Sequence, residues 1–223
     1  MPDAATRVAL RSDVLMHASG QSPAWQRALK RACDLLLASM ACVCLLPVFG
    51  LLALAIKLSS PGPVLHRRRV VGRRGHPFDA FKFRTMRPDA DSMLDELPEL
   101  KRQYTANYKL MDDPRRTAIG RFLRKYSLDE LPQLFNVLRG EMSLVGPRII
   151  TAPELSKYGD RAGLLLTVRP ALTGLWQVSG RQNVSYDQRV ELDMYYIQNW
   201  SLWLDAQILC RTPLVVLKSE GAM

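Results

Sequence analysis

Histidine is nearly absent: the 223 residues hold only His17, His66 and His76. None has a motif around it, and no serine stands in a Gly-x-Ser-x-Gly elbow, so histidine-based catalysis is poorly supported. Cysteine is scarce as well, at four. Cys42 and Cys44 lie within an apolar run, Cys33 at its edge and Cys210 in a later apolar stretch, with no second pair at zinc spacing. That pattern fits buried or lipid-facing thiols in a reducing compartment. Acidic residues are in deficit: 21 Asp and Glu face 31 Lys and Arg, a net charge of +10. Such an excess suits nucleic acid, an anionic membrane face or phosphorylated substrates, and composition alone does not choose among them. No internal repeat is present. At 48% hydrophobic residues, a chain of this length fits one domain or one with a small appendage, neither disordered nor polytopic.

What stands out instead is residues 35 to 56, LLLASMACVCLLPVFGLLALAI, which contain no charged side chain. As a helix the run would be about 33 Å long, enough to cross the hydrocarbon layer. It starts too far in and is too long for a secretory signal, and no small-residue cleavage site comes after it. Pro47 falls near its middle, where it removes a backbone hydrogen bond and clashes with the preceding turn. Both flanks are basic: Arg27, Lys30 and Arg31 before, then Lys57, Arg67, Arg68, Arg69, Arg73 and Arg74 after. Cytoplasmic flanks collect positive charge, so a helix bent at Pro47 that enters and leaves on one face satisfies both. This re-entrant reading is preferred to a kinked span.

The rest of the chain reads as mainly helical. SSPGPV ends the anchor, and residues 64 to 86 predict two short strands around the turn GRRGHP. Residues 88 to 113 predict a charged, solvated helix plus linker, and 119 to 138 a helix stopped by Gly140. Next come the loop MSLVGPR, a helix over about 153 to 166, a second loop rich in Gly, Ser and Asn, and helices over about 187 to 199 and 201 to 217.

The segment YSLDELPQLFNVLRGEMSLVGPR, residues 126 to 148, is the richest in chemical possibilities. Pro132 cannot sit deep in a helix, so a helix must begin close before it, with Asp129 as a candidate N-cap. That would place Asp129 and Glu130 beside free N–H groups and the positive end of a helix dipole, where a carboxylate, a metal and a phosphate can meet. Ser127-x-x-Glu130 also reads as a plain capping box. DELPEL at 95 to 100 nearly copies DELPQL at 129 to 134 but leads into no Gly-Pro-Arg loop, and Asp89-Ala90-Asp91 reads as a chance DxD. Arg124 precedes the carboxylate pair, while Arg148, Arg169 and Arg181 stand beside Gly or Pro in loops, where a planar guanidinium can reach phosphate oxygens.

These elements in this order resemble the bacterial sugar transferases, the monotopic phosphoglycosyl transferases, from Lys30 to about Leu217. The resemblance rests on Lys30-Arg31-x-x-Asp34, the proline-broken apolar segment, KLSSPGPVLHRRRVVGRRGHPFDAFKFRTM, SLDELPQLFNVLRGEMSLVGPR, VRPALTGLWQVSGR and Asp193 of ELDMYYI. It implies a fold that is mainly α with a small β component: a re-entrant membrane helix, holding Lys30, Arg31, Asp34 and Pro47, plus a cytosolic-face catalytic domain with amphipathic interfacial helices. The corresponding regions are a mobile N-terminal tail (1–23), the lead-in and re-entrant helix (24–63) and the catalytic domain (64–223). The resemblance further implies a ping-pong reaction on the cytoplasmic face of the inner membrane, in which Asp129 attacks the β-phosphate of a UDP-sugar, releases UMP and passes the sugar phosphate to polyprenyl phosphate, usually undecaprenyl phosphate. Mg²⁺ is the implied cofactor, with Asp129 and Glu130 as its ligands, Arg124, Arg148, Arg169 and Arg181 on phosphates, and Asp193 in support. UDP-galactose or UDP-glucose is the expected donor. Leu46, Ile149 and Ala171 depart from the usual pattern, and none touches the carboxylates.

Two other classes remain to be weighed. A non-catalytic scaffold would use the basic face to hold anionic lipid. A nucleic-acid binder would line a groove with its basic residues, yet here most cluster beside the apolar anchor, so no nucleic acid is expected. Residues 88 to 113 and the C-terminal helices can pair in a homodimer.

Overall fold

The computed structural model describes residues 23–96, 98–99, 101–102, 113–180 and 184–218. The predicted tail, apart from Pro23, and Arg181 lie outside the described residues.

The apolar run forms two helices, α1 (Ala24–Cys44) and α2 (Leu46–Ser59), which meet at 60°. The break lies at Leu45 (φ −91°, ψ 1°), ahead of the position expected from Pro47. Pro47 sits in the first turn of α2, where its missing N–H has no intrahelical partner to lose, so the discontinuity falls on the residues before it. Among the described residues no single helix is long and apolar enough to cross a membrane, whereas the bent pair meets that test jointly. Leu36, Val43, Leu46, Leu51 and Leu58 of the pair point outward, while Ala38, Cys42, Leu52 and Ile56 face the protein.

The predicted hairpin is present: β1 (Leu65–Val71) pairs antiparallel with β2 (Pro77–Phe83), from Leu65 opposite Phe83 to Val71 opposite Pro77. A 3-10 turn over Arg73–Gly75 reverses the chain, with Arg74 (φ 59°) and Gly75 (φ 78°) in the left-handed region that such a turn requires. In the charged stretch the helix α3 runs over Ala90–Glu96, and residues 103–112 lie outside the described residues.

The single helix predicted over 119 to 138 is two helices, α4 (Ala118–Lys125) and α5 (Gln133–Arg139), separated by a 3-10 turn over Leu128–Glu130. Ser127 adopts φ 54°, ψ 21°, which ends the helical path, and Pro132 then takes the N-cap position of α5. Asp129 is therefore not the helix N-cap, and Ser127 forms no capping bond with the turn. Gly140 (φ 83°) closes α5, as its sequence position predicts.

Two segments that read as loops in the sequence pair as a small parallel ladder, β3 (Ser143–Val145) beside β4 (Ala171–Thr173). The helix expected over 153 to 166 is a 3-10 stretch, Pro153–Arg161, then α6 (Ala162–Leu165); Gly159 (φ 52°, ψ −131°) breaks the helical path within the 3-10 stretch. After α7 (Leu175–Val178) come α8 (Tyr186–Gln198), with a Ser185/Gln188 capping box, and α9 (Leu202–Lys218), which carries Pro213. The fold is thus mostly helical with a small sheet component. Its main core joins Ala38 of α1, Val70, Phe78 and Ala80 of the hairpin, Leu134 and Val137 of α5, Val145 and Ile208. Each large side chain so buried contributes about 1.5–3 kcal/mol.

Candidate active site

The left-handed Ser127 turns the chain so that Asp129 and Glu130 are both buried against β2. β2 contributes Lys82, whose Nζ lies 2.6 Å from Glu130 Oε1 and 3.8 Å from Asp129 Oδ2. Arg148, just beyond β3, donates Nη1 to Glu130 Oε2 at 3.0 Å and Nη2 to Oε1. Arg124 of α4 donates Nε to Thr85 Oγ1 at 2.9 Å and lies close enough to act on Asp129 electrostatically. Asn136, fully buried, fixes α5 to β2: its Nδ2 donates to Asp79 O at 2.8 Å and its Oδ1 accepts from Phe81 N at 3.0 Å. Gly120 lets α4 approach the strand end, since a Cβ there would lie 2.0 Å from Thr85 O.

The two carboxylates differ sharply. Burial alone would raise the Glu130 carboxyl, but Arg148 and Lys82 outweigh it and hold the group well below the usual carboxylate range. Asp129 moves the opposite way: burial and the Glu130 charge push it up, against the pull of Lys82, Arg124 and Arg148. Glu130 is thus a fixed anion that positions two cations. Asp129 accepts no hydrogen bond from any described residue and is the carboxylate left free to react or bind a ligand. Lys82, Arg124 and Arg148 together exceed the two carboxylates in charge, which suits a diphosphate.

Magnesium binds through one or two carboxylates plus substrate phosphates and retained water. Among the described residues no set of three His, Cys, Asp or Glu converges as a metal cage. Asp129 alone, completed by substrate oxygens, fits such an ion; both Glu130 oxygens already serve cations.

The remaining sequence candidates separate into groups. Lys30 donates to Val145 O at 3.1 Å and pairs with Asp205 at 2.6 Å, while Asp34 accepts from Ser143 Oγ at 2.8 Å and Leu144 N at 3.2 Å. Arg31 Nη1 donates to Val137 O at 2.8 Å, at the C-terminal end of α5, and Arg169 Nε donates to Gly140 O, also at 2.8 Å. The structure therefore brings Arg169 to the far end of α5, beside Arg31, and not to the carboxylates. Asp193 is buried with Tyr158 Oη 2.8 Å away, and burial pushes its carboxyl up to about 7. Asp95, the competing DELP aspartate, lies on the surface in a 2.7 Å pair with Lys101. Asp89 is likewise an exposed partner of Arg87.

Sequence reasoning misses Lys82 and Thr85. The signal available is a lysine between phenylalanines on a half-buried strand, a place where a cation needs a partner.

The model of the family described as bacterial sugar transferase matches residues 25–219. The chain belongs to the bacterial sugar transferase family. This bacterial sugar transferase is 48% identical over 200 residues to an uncharacterized sugar transferase of Haemophilus influenzae, and 46% over 200 residues to an undecaprenyl-phosphate galactose phosphotransferase of Salmonella typhimurium. Each match takes in 88% of this chain but 42% of the relative, so the chain spans about two fifths of their length. It is also 46% identical over 197 residues to the exopolysaccharide production protein ExoY of Rhizobium meliloti, covering 86% of this chain and 87% of that protein.

Proposed function

We propose that this sugar transferase is a phosphoglycosyl transferase that moves a hexose 1-phosphate, galactose or glucose, from a UDP-sugar to polyprenyl phosphate. The observation that carries the reading is a buried carboxylate, Asp129, without hydrogen-bond partners among the described residues but flanked by Lys82, Arg124 and Arg148. The undecaprenyl-phosphate galactose phosphotransferase among its relatives supports the same substrate pair.

In the first half-reaction an oxygen of Asp129 attacks the β-phosphorus. The bond from that phosphorus to the oxygen bridging the two phosphates breaks, and the oxygen leaves on UMP with the electron pair. The sugar phosphate remains on Asp129 as an acyl phosphate. In the second, a phosphate oxygen of the polyprenyl acceptor attacks the same phosphorus, the acyl phosphate bond breaks and Asp129 is regenerated. Phosphoryl transfer requires little beyond a nucleophile, alignment and neutralisation of crowded negative charge. Arg148 and Lys82, held in place by Glu130, and Arg124, held by Thr85, provide oriented donors for the phosphate oxygens. Magnesium, held by Asp129 and substrate oxygens, would neutralise further phosphate charge.

One site can serve a soluble donor and a lipid acceptor in turn if the protein sits in one face of a bilayer. The bent α1–α2 pair with its outward apolar face supports a re-entrant insertion from the cytoplasmic face, with basic residues on both flanks at that surface. Purified protein in lipid, given UDP-galactose or UDP-glucose and polyprenyl phosphate, is expected to release UMP, with activity reduced by about 10³-fold or more in Asp129→Asn. No UMP from any UDP-sugar would overturn the reading.

A further inference from the structure

Near Arg148, three side chains of α7 and α8 form a polar cluster that the phosphate chemistry does not use. The Arg189 guanidinium carbon lies 4.3 Å from the Trp176 ring centroid and 5.1 Å from that of Tyr186. The Arg148 guanidinium carbon lies 5.9 Å from the same Trp176 ring, so one arginine touches both the reactive carboxylate pair and this cluster. Trp176 Nε1, Tyr186 Oη and Arg189 Nε are all shielded from solvent, and among the described residues none has a hydrogen-bond partner. Gln177 Oε1, next along the chain, is unpartnered too, while its Nε2 donates to Leu172 O at 3.0 Å.

Orphaned buried polar atoms are uncommon, and so many in one neighbourhood call for a partner beyond the described residues. The Arg189 guanidinium forms neither an ion pair nor a hydrogen bond with any described residue; two aromatic rings hold it. The missing partner must accept hydrogen bonds from an indole N–H and a guanidinium N–H and exchange one with a phenol. A flat nucleobase would seek a ring face, but guanidiniums already lie against the Trp176 ring. A sugar, with several hydroxyls that each donate and accept, meets the requirement.

We infer that Trp176, Tyr186 and Arg189 form the subsite that binds the hexose of the donor. The inference rests on the phosphoglycosyl transferase reading and assigns the part of the substrate that reading leaves unplaced. In a UDP-sugar the hexose is bonded directly to the β-phosphate that Asp129 attacks. Arg148 spans from Glu130 to Trp176, so a phosphate held beside Asp129 delivers its hexose to the cluster.

The test uses the full chain in lipid and measures UMP release from UDP-galactose and UDP-glucose, with UDP as a competitive inhibitor that lacks the sugar. Trp176→Phe and Tyr186→Phe each remove one polar atom and keep an aromatic ring. Each is expected to raise KM for the preferred UDP-sugar about tenfold and to narrow the discrimination between the two sugars, with Ki for UDP within about twofold of wild type. The wild-type protein provides a second arm that needs no variant: donors with single hydroxyls replaced by hydrogen are expected to lose about tenfold or more in kcat/KM at one or more positions. Unchanged KM in both variants, or equal use of every deoxy donor, overturns the assignment. A parallel rise in KM and in Ki for UDP also overturns it, by placing the nucleotide at these residues. Absence of UMP release by the wild type with every donor overturns the underlying reading and the inference with it.

Discussion

Lys82 Nζ stands 2.6 Å from Glu130 Oε1, and the same ammonium lies 3.8 Å from Asp129 Oδ2. One cation from β2 therefore links the anchored carboxylate to the free one. It holds Glu130 ionised and opposes the rise that burial imposes on Asp129.

Lys82→Met is expected to lower UMP release by about 10²-fold or more and to move the acidic limb of its pH profile upward. The sign comes from the Asp129 carboxyl. Its pKa is already raised by burial, its ionised form is the nucleophile of the proposed mechanism, and loss of a nearby cation raises it further. A pH–rate profile checks both effects. A simple drop in rate with an unmoved acidic limb would show that Lys82 does not act on Asp129.

Gly120→Ala is expected to destabilise the protein by about 1–3 kcal/mol or more, because the added methyl would meet the Thr85 carbonyl at 2.0 Å. The displaced α4 also carries Arg124 away from its Thr85 partner, so activity falls with stability. Arg121→Ala, on the exposed side of the same helix, is the control. Thermal melts of the two variants check the difference.

Asp34→Ala is expected to cost about 2–4 kcal/mol, since it leaves Ser143 Oγ and Leu144 N buried without their acceptor and removes the tie between α1 and β3. Ser143→Ala removes one of the two bonds and is expected to cost less. Denaturant unfolding in detergent ranks them.

Asp193 gives a pH signature of stability. Its carboxyl is raised to about 7 in the fold, so the folded protein binds a proton more readily than the unfolded chain between about pH 4 and 7. The corresponding stability is full below about pH 4 and is lost as pH rises through about 7. Melting temperatures measured from about pH 5 to 8 are expected to fall less in Asp193→Asn than in wild type.

Much of this is legible in the sequence, and the failures have physical causes. Short apolar patches around GRRGHP mark the hairpin, and periodicity marks the terminal helices. In the sequence only the downstream Gly-Pro-Arg loop tells Asp129 from Asp95, and the structure separates them by burial. The 3-10 turn is hidden because it depends on a serine held at positive φ by its tertiary surroundings, whereas the local pattern favours a cap. Arg169 stands beside proline in a loop, as Arg148 does, but loop composition does not reveal direction. The parallel β3–β4 pairing turns Arg169 toward Gly140 and leaves Arg148 at Glu130. The bend at Leu45 is displaced from Pro47 because proline is tolerated in a first turn.

The membrane arrangement has its own test. In a background without the four native cysteines, Trp25→Cys and His76→Cys both place a thiol at an exposed position, one on each side of the bent pair in sequence. Both are expected to react with an impermeant thiol reagent from the cytoplasmic face only. Reaction from opposite faces would establish a full crossing.

The most direct measurement is the intact mass of the protein after exposure to a UDP-sugar without polyprenyl phosphate, with the adduct then located by peptide mapping. A gain of one hexose phosphate on Asp129, lost on addition of polyprenyl phosphate and absent from Asp129→Asn, is the expected result. An adduct on Asp95 or any other residue, or transfer that proceeds with Asp129 unmodified, would contradict the assignment of Asp129 as nucleophile.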